Sequence, residues 1–256
     1  MTSASAATII AGILGLTGVL MSIWANVRIK RKESRATAEA TITRYREPLV
    51  GAAFEMQARI YNIGTGRFFG EDWSSYHVDH TLYVFAQYLG WREIIRLEIQ
   101  LMDLGDAPET KKLAELLERV TSAISVTKSC LSPTFKLFRG EQRAIGENMM
   151  VSTSTATQAS LGHRCLGYAS FVRELNQPNF NVWFDKLRTS INDLESPDTR
   201  DLSRLSLLQN ALIDLIEFLD PDYVRFPKHL RNRMEMKPKV AALRSRWSTD
   251  LGLAKP

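Results

Sequence analysis

Between Ile9 and Val27 lie 19 residues without a charged side chain, and the chain turns cationic straight after them. Ile, Leu, Val, Ala and Gly dominate the run, with Thr17, Ser22 and Asn26 as its small polar members. A helix needs about 20 such residues to cross roughly 30 Å of hydrocarbon, so this one is long enough for a nearly upright span. Trp24 falls near its end, at the depth where amphipathic rings favour headgroups. Arg28, Lys30, Arg31, Lys32 and Arg35 follow, opposed by Glu33 alone.

A secretory leader has the reverse layout, with cations ahead of a shorter apolar core and a small-residue cleavage site behind it. A helix buried in a soluble core is the other alternative, and the uninterrupted length and adjoining basic cluster argue against it. The expectation is a transmembrane signal-anchor over residues 1–27 with its N-terminus outside. A basic juxtamembrane stem, 28–44, then holds the rest of the chain on the cytoplasmic side of the cell membrane. The lipid bilayer is therefore the first expected partner. Ala7, Ala11 and Gly15, and separately Gly18 and Ser22, recur at four-residue spacing. Such faces let membrane helices pack closely, which leaves open a homo-oligomer formed through the span.

The remainder carries apolar and aromatic residues along its whole length, and disorder would require few apolar residues and high net charge. A packed body follows. The formal charge of +5 is unevenly spread. Residues 28–35 contribute +4 and residues 225–246 contribute +7, so the rest of the chain is acidic at −6. The reading is an all-α cytoplasmic domain over 45–222 followed by a basic C-terminal tail over 223–256. Cys130 and Cys165 are the two cysteines and form no CxxC. In a reducing compartment they are expected as free thiols, not as a disulfide framework.

Helical periodicity dominates the readable segments. Leu113, Leu116, Leu117, Val120 and Ile124 make one face of a helix, which Asp106 with Glu109 suits as a capping box. Leu202, Leu205, Leu208, Leu212, Leu215, Ile216 and Leu219 form a longer stripe, with Ser196 as cap, Pro197 in the first turn and Pro221 after the end. Segments 48–63, 79–103 (interrupted at Gly90), 134–150, 166–176 and 180–194 complete about seven helices. Strand signals are poor: TITRY and TFKLF alternate briefly without a hairpin turn beside them. Residues 64–75 and 152–160 read as loops, the second as a surface link. An all-α fold is the economical result.

No GK[ST] ending, GxSxG elbow or HExxH occurs in the chain, so the common phosphate-loop, nucleophile-elbow and zincin chemistries are not signalled. His77 and His80 are three apart, and His163 stands two before Cys165, but ordinary structural histidines are the simpler reading. No metal or cofactor is expected. The stretch FKLFRGEQRAIGE holds the candidate ligand-binding residues Arg139, Glu141, Arg143 and Glu147 around Gly140 and Gly146. On a helix Arg139, Arg143 and Glu147 share a face, and two interior glycines cost about 1 kcal/mol each. A polar pocket for an anionic ligand competes there with an exposed face of ion pairs.

The basic tail has three readings. Phe226, Met234, Met236 and Trp247 could dip into a bilayer already held close; the tail could fold back onto the acidic body; nucleic acid ranks last, for want of any recognised module. No paired acid–base or nucleophile–base signature is present, which places binding above catalysis. The expected function is that of a scaffold, adaptor or sensor-effector holding a protein partner at the membrane. The alternative is a tethered enzyme or small-molecule-responsive effector built on the Arg139–Glu147 pocket.

Overall fold

A computed structural model of the chain describes residues 3–67, 75–100, 108–153, 162–195 and 200–250. Side chains are described for 21–29, 43–67, 76–97, 109–152, 163–194 and 200–247. The chain is mostly helical, as expected. Its helices are α1 (Ser3–Gly64), α2 (Ser75–Gln100), α3 (Pro108–Ser125), α4 (Arg139–Asn148), α5 (Tyr168–Glu174), α6 (Pro178–Asn181), α7 (Asp185–Asn192), α8 (Ser203–Leu219) and α9 (Pro238–Asp250).

The core is organised around α8. Every residue from Ser203 to Ile213 is buried, so this helix is enclosed on all sides where a surface helix would bury one stripe. Helices α1 and α3 flank it, α2 packs on α1, α4 packs on α2, and α9 closes against α8. The leucine stripe read from the sequence is half of the story. Ser206, Gln209 and Asn210 on the other faces are also buried and satisfied by hydrogen bonds.

Arg204 is the largest fully buried side chain, and no periodicity singles it out. Its guanidinium donates to the carbonyls of Ser132 (2.8 Å), Ala123 (2.8 Å), Ile124 (3.1 Å) and Val126 (3.0 Å). Two of these lie in the last turn of α3 and Val126 directly follows it, where carbonyls lack intrahelical partners and the helix dipole favours a cation. Burial pushes the Arg204 guanidinium down to about 10, so it stays charged at neutral pH. One buried arginine thus caps α3 and fastens it to α8.

The structure departs from the sequence reading at several elements. Residues 150–153 and 162–165 are strands, β1 (Met150–Thr153) and β2 (Gly162–Cys165), paired antiparallel with Met150 opposite Cys165 and Val151 opposite Arg164. Four-residue strands are too short to show a period of two, which is why 152–160 reads as a link; residues 154–161 lie outside those described. Gly90 does not interrupt α2. A Cβ there would meet Cys165 Sγ at 2.7 Å and Met149 Cβ at 2.8 Å, so the glycine marks close packing against the hairpin. Residues 180–194 form α6, a 3-10 turn and α7 in place of one helix. Ahead of α4, Phe135 adopts φ 57° with its ring stacked on Phe85, and its N–H donates to Ser190 Oγ. That turn ends the segment the sequence extends back to residue 134. The proposed cap Asp106 and the residues Ser196 and Pro197 lie outside the described residues.

Candidate functional site

Helix α4 does bring Arg139, Arg143 and Glu147 onto one face, but each charged side chain of the candidate pocket has its own partner. Arg139 makes a two-pronged ion pair with Glu118 of α3. Glu141 accepts from the Phe138 N–H at 2.7 Å, bracing the first turn of α4, and pairs with Lys186 of α7. Arg143 stands 3.9 Å from buried Glu93 and 3.8 Å from Glu147. Arg139, Arg143 and Glu147 are exposed. A cleft of about 490 Å³ opens beside this face between Phe138 and α7. Lys136, Phe138, Lys186 and Asp193 line it, whereas none of the four expected residues does. Gly146 has a structural reason: a Cβ would come within 2.7 Å of the Leu89 carbonyl oxygen and 2.9 Å of Glu93 Cβ, so glycine lets α4 cross α2 closely. At Gly140 nothing lies within 4 Å.

His77 and His80 share a face of α2. Among the described residues no group of three His, Cys, Asp or Glu side chains could hold a metal ion. His80 Nδ1 accepts a hydrogen bond from the Arg59 guanidinium of α1, and its ring stacks on Tyr76 at 5.4 Å. Burial, then the Arg59 charge and then His77 push His80 down to about 4, which keeps the imidazole neutral as an acceptor. Tyr168 closes the cluster edge-on against His80 and Tyr83. The sequence offers no signal for this cluster, because its members come from α1, α2 and α5. The His163–Cys165 pair lies on β2, so the backbone is extended as a nearby thiol and imidazole would require. Burial nevertheless raises the Cys165 thiol to about 12, which leaves it protonated and no nucleophile.

The basic segment is docked on the body. Phe226 stacks on Phe54 of α1 with ring centroids 3.8 Å apart. Gln209 donates to the Asn232 carbonyl at 2.8 Å and accepts from the Met234 N–H at 3.0 Å. Asn210 donates to the Met234 carbonyl at 2.9 Å. Buried amides of α8 thus read the backbone of the incoming segment. Asp214 then draws Arg233 (2.8 Å), Arg244 (2.6 Å) and Arg119 (3.8 Å) around itself. Glu217 takes the other prong of Arg233, and Asp201 takes Lys237. Of the three sequence readings, fold-back onto acidic side chains is the one realised over 225–247. Phe226, Met234, Met236 and Trp247, considered above as residues that could dip into lipid, pack against the core instead.

The remaining candidate is the N-terminal part of α1. This helix is continuous from Ser3 to Gly64. Its described side chains from Met21 to Ile29 are all exposed, Trp24 at 60%, and the Arg28 guanidinium lies over the Trp24 ring at 4.2 Å. Tyr45 is the first buried side chain described on it. Among the described residues no helix is long and apolar enough to cross a membrane. Most of the expected span falls on residues 1–20, whose side chains lie outside that set, as do Ala7, Ala11, Gly15 and Gly18. The side chains of Lys30, Arg31, Lys32 and Arg35 lie outside it too, while Ser22 is described and exposed. Set against models of protein families, curated proteins and solved structures, the chain matches none of them.

Proposed function

We propose that the chain is a single-pass membrane protein that acts by binding: a scaffold, adaptor or sensor-effector whose helical body is held at the cytoplasmic face, with the N-terminus outside. The observation that carries this reading is one helix with two environments. From Tyr45 onward α1 is a core helix of the body, with Leu49, Ala53, Met56 and Ile60 buried. Between Met21 and Ile29 the same helix exposes Met21, Ile23, Trp24, Val27 and Ile29. An isolated apolar helix gains nothing from water, since helical stability in proteins comes mainly from packing an apolar face. Lipid supplies that contact, and the uncharged sequence from Ile9 to Val27 has the length to use it. The adjoining cations supply the orientation.

Binding is favoured over catalysis by how the charged residues are used. Arg139, Glu141 and Arg143 are engaged in ion pairs on an open face, outside any enclosed cavity with convergent polar groups. Alkaline carbonate extraction of native membranes tests the anchor. Full-length protein is expected to stay in the pellet, and a version lacking residues 1–27 is expected in the supernatant. Release of the full-length chain at high pH would refute the reading.

A further inference from the structure

Arg119 of α3 lies where α3, α8 and α9 meet, and it is 9% exposed. Its Nη1 faces Asp214 of α8 at 3.8 Å. Nε and Nη2 are sealed from solvent and find no acceptor among the described residues. These two nitrogens form one edge of the guanidinium, the fork whose parallel N–H groups match two oxygens of a carboxylate or phosphate. The other deeply buried arginines are held differently. Arg204 donates to carbonyls around the end of α3, and Arg231 to the Asp220 carboxylate and the carbonyls of Asp220 and Phe226. Buried donors are paired in the great majority of cases, so a sealed fork without an acceptor points to a missing partner.

Neighbouring carboxylates do not fill that role. Arg244 of α9 grips both oxygens of Asp214, at 2.6 and 2.9 Å, and Arg233 approaches the same group at 2.8 Å. Glu217 takes the other prong of Arg233 at 2.7 Å. Three guanidinium groups thus gather about two carboxylates, and Arg119, the most buried of the three, has the longest pairing. Glu115, one turn earlier on α3, acts on Arg119 through its charge but does not bond the fork. Burial pulls the Arg119 guanidinium below its ordinary value, Asp214 opposes this, and Arg244 adds to the pull. A water accepts the two N–H groups but leaves the charge uncompensated, whereas an oxyanion meets both needs. We propose that the Arg119 fork binds a small free oxyanion of the phosphate or carboxylate class at the junction of α3, α8 and α9. The inference goes beyond the membrane-anchored reading and does not depend on it. Since the fork is sealed, a helix must lift to admit the anion. At 13 residues against 18 and 17, α9 is the shortest of the three and opens most readily. Once seated, the anion also attracts Arg244 and so fastens α9 to the body.

Amide hydrogen exchange on full-length protein in non-ionic detergent tests the site. Sodium phosphate and sodium acetate are each compared with sodium chloride at equal ionic strength. The amides of α9 are expected to exchange about tenfold more slowly when the bound anion stands at ten times its dissociation constant. Slowing by either anion supports the site and identifies its class. Arg119→Met keeps the apolar stem and removes the stranded donors. It is expected to match or exceed the parent in thermal stability and to lose the anion response. Should that variant fail to fold, Arg119→Lys decides, since it keeps the charge without the fork. Binding about tenfold weaker is expected there, and an undiminished response overturns the site. Equal α9 exchange in all three salts also overturns it. So does slowing spread over every helix that persists in Arg119→Met, because phosphate strengthens burial generally. Faster α9 exchange in chloride on Glu115→Gln would assign the fork to that carboxylate and overturn the proposal as well.

Discussion

Arg204 holds a charge in the interior against main-chain carbonyls, and so ties the end of α3 to the start of α8. Replacing it with Met keeps most of the apolar stem but strands those carbonyls. The expected loss is about 3 kcal/mol or more by chemical denaturation, with Arg204→Lys losing less. The residue is legible only in hindsight, as a cation in the first turn of a helix whose dipole disfavours it there. His80 makes a pH prediction. Its ordinary value near 6.5 falls to about 4 in the folded chain, so between those values the unfolded chain binds more protons. Stability therefore rises with pH from about 4 to 6.5 and is lost as pH falls through that window. Thermal midpoints measured across it should vary less in His80→Phe than in the parent chain.

At the scale of elements, α3 and α8 can be read from the sequence because their apolar positions recur at helical spacing over several turns. The hairpin, the α6–α7 break and the full length of α1 cannot, since each depends on packing partners distant in the chain. Gly90 and Gly146 illustrate the difference. Both look like helix breakers, and both lie where a Cβ would strike a neighbouring element. Gly146→Ala should thus destabilise by about 1–3 kcal/mol despite its better helix propensity. Gly140→Ala, with open space around it, should be neutral or stabilise by up to about 1 kcal/mol. Urea titrations of the two variants separate close approach from propensity. The charged face of α4 is legible in spacing, but its partners Glu118, Glu93 and Lys186 come from three other helices.

For the whole molecule, charge partition is the sequence feature with the longest reach. It separates an acidic body from a basic segment, and the structure joins the two through Asp201, Asp214, Glu217 and Asp220. The segment completes the core: Val240 is fully buried and Phe226 covers Phe54. Truncation after Asp222 is accordingly expected to abolish a single cooperative unfolding transition, measured by circular dichroism, where a detachable tail would leave it unchanged. The placement of this body relative to the membrane is the claim on which the functional account depends. External protease applied to intact cells addresses it directly. The account predicts that the body resists digestion until the membrane is permeabilised, and cleavage of the body in unbroken cells would contradict it.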